Sequence, residues 1–381
     1  MHLKNLRLQH FRNHADSTFE FSSKTNIFLG DNGHGKTNVI EAIAYLCLTK
    51  SFYANSDNLV LGFGYDLFEI DGTIVSINDQ TFNIRVAYSV KQTEKIFSIN
   101  KHRIEPLSSV IGKFPVVICS PEHAPITSKG PAERRKFVDF VISQSNHVYF
   151  QNLIEYRRVL RHRNKILLDA KILKCEVKTL IEPWNEQLIE RGSYLMFARM
   201  QFVEEFKEFI MSAYHEVVSN DETPSLEYSP GKEIGNISNE NEIRDILYSE
   251  LKEKSSDEIK IGTSLVGPQR DEFKLKINGL DVRKYASQGQ HKTFLIALKI
   301  GEFFYLKERC SETPILLLDD IFSELDNHRA GRLLRFVDTL SQTLITSTNP
   351  YLFDENASTS NSGKTFYIRS GEIVEQRTIE A

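Results

Sequence analysis

The chain opens on an alternation. Leu3, Leu6, Leu8 and Phe11 interleave with Lys4, Arg7, Gln9 and His10, the period of a strand with one buried face. A second extended segment follows around 18–21 and a short apolar one over 25–29. From Val39 to Leu48 the period turns helical, with Ile40, Ile43, Ala44 and Cys47 on one stripe. Residues 67–119 return to short strands at 67–70, 73–76, 82–88, 96–99 and 116–119, with Asp71-Gly72 and Asn78-Asp79 expected as turns. After Pro121 the texture changes again. Between about 131 and 216 apolar residues recur at three- and four-residue spacing, as in Phe137, Phe140 and Val141, then Leu153, Tyr156 and Leu160, then Phe202, Phe206 and Phe209.

Residues 219–260 carry Pro224, Pro230, Gly231, Gly235 and many acids, which predicts an exposed connection with one short helix near 240–253. Apolar strands resume at 273–277 and 315–318, with a helix over 288–307 between them. The pattern is an α/β domain of residues 1–120 plus 261–381, interrupted by a mainly helical domain at 121–218 and an acidic connecting segment at 219–260. The 381 residues suit two domains, and 40% hydrophobic with 26% charged residues excludes a disordered chain. Cys47, Cys119, Cys175 and Cys310 are scattered without a CxxC pair, so no zinc site is expected. No run approaches the ~18 apolar residues of a membrane span, and no signal-peptide core stands at the start. A cytoplasmic protein with no membrane partner is the expectation.

Two motifs carry chemistry. Gly30-Asp31-Asn32-Gly33-His34-Gly35-Lys36-Thr37 satisfies GxxxxGK[ST] between an apolar strand and a helix. Glycines let backbone N–H groups curl around phosphates, and the helix start adds donors and partial positive charge. Lys36 is placed to bridge β- and γ-phosphates of ATP, and the Thr37 hydroxyl to sit on Mg²⁺. The second motif is the apolar strand Ile315-Leu316-Leu317-Leu318, which ends in Asp319-Asp320. A buried strand delivers carboxylates to the sheet edge in this way; Asp319 is expected on the metal side, and Asp320 as the group that polarises the attacking water.

The ATPase class follows from Ser287-Gln288-Gly289-Gln290, which resembles the signature motif of ABC-type ATPases and lies about 25 residues before the acidic strand. Ser287 can cap the helix that follows and still present donors to an anion. Asp326, in Ser323-Glu324-Leu325-Asp326, falls at the D-loop position of that class; Thr348 stands where many ABC ATPases carry histidine.

Taken with Leu6–Asn13, the extended loop through Ala42, Gly130-Pro131-Ala132-Glu133-Arg134-Arg135 and the Tyr156…Arg163-Asn164 spacing, the chain resembles the RecF family from residue 1 to about 350. These are bacterial recombination-mediator ATPases related to SMC heads but lacking the coiled coil. The family usually has histidine where this chain has Gln269, and no Q-loop glutamine follows strand 116–119. The resemblance implies an ABC/SMC-type ATPase head of mixed sheets and helices, interrupted by a helical lid domain. It also implies an ATP-driven homodimer with two nucleotides between phosphate loop and opposing signature, and weak, DNA-stimulated hydrolysis used as a switch. The implied partners are single-stranded or gapped DNA, RecO and RecR, in RecA loading, gap repair, replication and the SOS response to DNA damage.

The net charge of −4 does not point to nucleic acid, but its distribution does. Residues 129–178 hold 12 Lys and Arg against 5 Asp and Glu, whereas residues 216–260 hold 5 against 12. Arg157, Arg161 and Lys165 recur at four-residue steps beside Arg158, a helix face suited to a phosphate backbone. Arg134, Arg135 and Arg163 join them as candidate DNA contacts. No base-reading motif accompanies them, so shape or junction recognition is expected. Two other readings fit a phosphate loop: the nucleotide-binding subunit of an ABC transporter, and a P-loop phosphotransferase.

Overall fold

In the computed structural model, which describes residues 1–174, 178–218, 222–231, 237, 239–325, 327–354 and 363–379, the opening alternation becomes two antiparallel strands, His2–Phe11 and His14–Glu20. Leu3, Leu6, Leu8 and Phe11 are completely buried on their inner face. They begin a six-stranded antiparallel sheet, ordered His14–Glu20, His2–Phe11, Leu67–Val75, Thr81–Ser89, Glu94–Ile99, His102–Arg103. Asp71-Gly72 is not the expected turn. It lies inside the nine-residue strand Leu67–Val75, hydrogen-bonded to both neighbours. Glycine is there for space, since a Cβ at Gly72 would come within 2.4 Å of Leu46 Cδ1 on the adjacent helix. The chain does reverse at Asn78-Asp79, where Asp79 takes a φ of 59°.

A second six-stranded sheet is ordered Glu372–Ile379, Gly363–Arg369, Thr25–Leu29, Thr343–Ser347, Ile315–Asp319, Val116–Cys119. All its pairings are parallel except the terminal hairpin. Four of its strands, Thr25–Leu29, Thr343–Ser347, Ile315–Asp319 and the edge strand Val116–Cys119, are buried at every position, as in a parallel sheet covered on both faces. Helix Lys36–Leu48 packs against strands of both sheets and is buried on nearly every side. Helix Gln288–Arg309 covers strand Val116–Cys119. These elements form one compact unit of residues 1–124, 209–222 and 287–381.

The other unit holds residues 125–208 and 223–286. It contains helices Pro131–Ser145, His147–Leu173, most of the 40-residue Lys178–Val217, and Glu240–Ile261. A small antiparallel sheet joins Leu280–Asp281, Glu272–Ile277 and Pro224–Ser229. Among its described residues the acidic stretch holds more regular structure than the one short helix expected. It supplies a strand, and its helix runs 22 residues with Ile243, Leu247 and Leu251 buried. Among the described residues no helix is long and apolar enough to cross a membrane.

Candidate nucleotide-binding site

Parallel strands deliver their C-terminal ends to one edge of the second sheet, and the motif residues stand there. The loop of Gly30–Thr37 leaves strand Thr25–Leu29 and enters helix Lys36–Leu48 with Gly35 as the cap, at a φ of 105°. A side chain at Gly35 would strike Asn13 Oδ1 at 2.5 Å, so the loop closes only around glycine. Asn13 and His14 thus brace the loop from the first strand pair. Asn38 Nδ2 donates to Asn13 Oδ1 at 2.7 Å, and His14 Nε2 lies 3.1 Å from the Gly35 carbonyl. Burial lowers the pKa of His14, so it stays neutral near pH 7.

The Lys36 ammonium donates to the Gly30 and Asp31 carbonyls at 2.7 and 2.9 Å. Burial lowers its pKa, opposed by the charges of Asp320, Asp319 and Asp31. Two carbonyls therefore stand where phosphate oxygens could take over. Across the site, the Asp319 carboxylate accepts three hydroxyl bonds: from Thr37 at 2.7 Å, Thr346 at 2.7 Å and Tyr53 at 2.9 Å. Asp319 is buried at the strand end, whereas Asp320 turns into the left-handed region with φ 49°. The Asp320 N–H donates to Thr346 Oγ1 at 2.9 Å, which locks that turn to the neighbouring strand.

Thr37 and Asp319 offer adjacent hard oxygen donors, the chemistry Mg²⁺ selects. Among the described residues no group of three or more His, Cys, Asp or Glu could hold a metal alone. A divalent cation at Thr37 and Asp319 would therefore share phosphate oxygens, as Mg²⁺ commonly does.

Ser287 caps helix Gln288–Arg309 through a reciprocal box. The Gln290 N–H donates to Ser287 Oγ at 3.2 Å, and the Ser287 N–H to Gln290 Oε1 at 2.9 Å. Ser287, Gln288 and Gly289 are exposed. Asp326 lies outside the described residues.

The basic residues of the second unit divide sharply. Arg157, Arg158, Arg161 and Lys165 are exposed on helix His147–Leu173, with Arg157 also 3.2 Å from Asp139. Arg134 and Arg163 are not available to DNA, contrary to the expectation from charge alone. Arg134 is buried against Glu272 at 2.9 Å. Arg163, only 2% exposed, donates to Glu258 at 2.6 Å, and also to Ser264 and Asn185. Its two-residue offset from Arg161 carries it to the inner face of the helix. Arg135 is half-buried and donates to the Asp271 carbonyl at 2.6 Å. Sequence reasoning missed Arg199, which is buried between Asp139 and Asp271 at 2.7 and 2.8 Å. Burial lifts the Asp271 carboxyl to about 6 despite that arginine. Gln269 accepts the Tyr156 hydroxyl and donates to the Val266 carbonyl at 2.8 Å, which gives it a structural partner in its own unit.

The strand order, the loop at the strand–helix junction and the carboxylates at the end of the strand two places along the sheet define the P-loop class shared by ABC-type ATPases and SMC heads. An SMC head solved with the C-winged helix domain of ScpA shares this fold, with a TM-score of 0.56 at 12% identity. The pattern described as the RecF/RecN/SMC N terminal domain matches residues 2–367, and the chain belongs to the RecF family. It is 40% identical over 351 residues to the DNA replication and repair protein RecF of Salinibacter ruber, covering 91% of this chain and 85% of that one. To the protein of the same name from Chloroherpeton thalassium it is 41% identical over 358 residues, covering 93% and 97%. A solved recombination mediator protein RecF, described with ATP in the RecFOR pathway, superposes with a TM-score of 0.88 at 30% identity, covering 99% and 97%. Family membership leaves the transporter-subunit and phosphotransferase readings without support.

Proposed function

We propose that this chain is an ATP-dependent DNA-binding protein of replication and recombinational repair, whose two copies close on ATP and reopen on slow hydrolysis. The observation that carries this reading is the shared edge of the second sheet. There the phosphate loop meets the Thr37–Asp319 oxygen pair, and the signature residues Ser287, Gln288 and Gly289 present an exposed helix start. The backbone N–H groups of Gly30–Thr37 bind the phosphates, and Lys36 transfers its bonds from the two loop carbonyls to the β- and γ-oxygens. Thr37 and Asp319 would hold Mg²⁺, which would offset charge on the phosphates. Asp320, fixed by Thr346, orients and deprotonates the attacking water. Ser287–Gln290 of the second copy, with Asp326 crossing the seam, completes each site.

DNA meets the exposed Arg157, Arg158, Arg161 and Lys165 face, and the half-buried Arg135 is a further contact. Phosphate contacts of this kind carry no sequence information, and the DNA is single-stranded or gapped by family resemblance. RecO and RecR, the loading of RecA and the SOS response then follow as partners and setting in the cytoplasm. Steady-state hydrolysis measured with gapped duplex, and separately with a range of small phosphate acceptors, tests the reading. DNA should raise the rate and acceptors should leave it unchanged. A rate that follows an acceptor and ignores DNA would refute it.

A further inference from the structure

Gln290 is held at both ends. Its side-chain oxygen accepts the Ser287 N–H, and its amide nitrogen donates to Glu222 Oε1 at 2.9 Å. The second oxygen of Glu222 accepts the hydroxyl of Tyr214, a fully buried residue on the last turns of helix Lys178–Val217. Next along the signature helix, Thr293 Oγ1 donates to the Gly289 carbonyl at 2.9 Å. Tyr214, Glu222, Ser287, Gly289, Gln290 and Arg329 line an open cleft of about 220 Å³.

A primary amide is an acceptor at one end and a donor at the other, and a half-turn exchanges them. Gln290 closes the box with Ser287 in only one of the two orientations. Glu222, which when ionised only accepts, enforces that orientation. The order of control runs from Tyr214 to Glu222, from Glu222 to Gln290, and from Gln290 to the Ser287 backbone. With Ser287 Oγ accepting the Gln290 N–H, the serine keeps its own proton to donate. The first-turn N–H groups of Gln288 and Gly289 add two donors that a helix start leaves without intrahelical partners.

A carboxylate beside a turn that receives an anion also has a cost, because its charge repels the phosphate. The two effects of Glu222 therefore have opposite signs, and an uncharged isostere separates them. We propose that Glu222 is a positioning residue for the signature turn: anchored by Tyr214, it fixes Gln290, and through Gln290 holds Ser287 in the geometry that receives the terminal phosphate bound to a second copy of the chain. The receiving role rests on the function proposed above; the holding of the turn does not.

The test compares the full-length chain with E222A, E222Q and Y214F in two readouts. One is hydrogen exchange at the Ser287 and Gln290 amides without nucleotide, and the other is ATP-dependent dimerisation by sedimentation. Loss of a helix cap is worth about a fivefold change in equilibrium, so E222A should speed exchange at both amides about fivefold. A closed dimer contains two such turns, so its association should weaken about 25-fold. E222Q should stay within about twofold of wild type in both readouts, because the Tyr214 hydroxyl can accept from the new amide and leave the oxygen for Gln290. Wild-type exchange in E222A, or equally strengthened dimerisation in E222A and E222Q, would overturn the proposal and leave Glu222 acting by charge alone. If the wild-type chain does not dimerise with ATP, the proposed function fails, and the exchange comparison still decides whether Glu222 holds the turn. Y214F keeps the carboxylate but releases its anchor, and gives the same exchange comparison should E222A fail to fold.

Discussion

Replacing Arg163 should destabilise the helical unit rather than impair DNA binding. The guanidinium donates to Glu258 at 2.6 Å, Ser264 at 2.8 Å and Asn185 at 2.8 Å, and Glu258 is 0% exposed. In Arg163→Ala, Glu258 keeps the Leu265 N–H at 2.7 Å but loses its counter-ion in a site closed to water. Removing one partner of a buried ion pair costs about 3–5 kcal/mol. In a unit of this size that lowers the unfolding midpoint by roughly 10 °C. Thermal and urea unfolding followed by circular dichroism would measure it, with DNA binding titrated at a temperature where the variant is folded. Arg161→Ala, two residues away and exposed, should change stability by less than about 0.5 kcal/mol and weaken DNA binding instead. The double variant Arg163→Met with Glu258→Leu should recover much of the loss, since no charge is then left buried alone. An Arg163→Ala protein that unfolds with wild type and loses DNA affinity would refute the structural assignment and restore the DNA one.

Three further outcomes follow from the same geometry. Lys36→Ala should weaken ATP binding by about 10- to 100-fold, the worth of charge-assisted bonds to phosphate, as read by calorimetry. Asp320→Asn should slow single-turnover hydrolysis by about 10²- to 10⁴-fold while the ATP-bound dimer persists in sedimentation; normal turnover would move the base role elsewhere. Joint replacement of Arg157, Arg158 and Arg161 by alanine should flatten the dependence of log Kd on log salt by about 2 to 3, and an unchanged slope would remove that face from the DNA site.

Much of the candidate nucleotide site can be picked out in the sequence because its motifs are local. The glycines, Lys36, Thr37 and the two aspartates sit within two short segments, each with its own strand before it. What braces them was not legible, because it comes from far along the chain. Tyr53 and Thr346 reach Asp319 across 266 and 27 residues, and Asn13 reaches the loop from the first strand pair. Asp71-Gly72 carried a turn signature, but the demand for space beside Leu46 set its glycine, and no local pattern reports that. Charge counting placed Arg163 with Arg161 because it ignores which side of a helix a residue faces. Arg163 answers to Glu258, 95 positions away, and Arg199 to Asp139 and Asp271 in the same manner. The terminal hairpin Gly363–Arg369 with Glu372–Ile379 escaped notice because one strand joins the sheet beside Thr25–Leu29, from the opposite end of the sequence.

Sedimentation of the full chain, with and without ATP and Mg²⁺ and then with a short gapped duplex, tests the central claim most directly. A monomer that becomes a dimer only with ATP, and that holds DNA at physiological salt, is the predicted result. A monomer unchanged by nucleotide and DNA would contradict it.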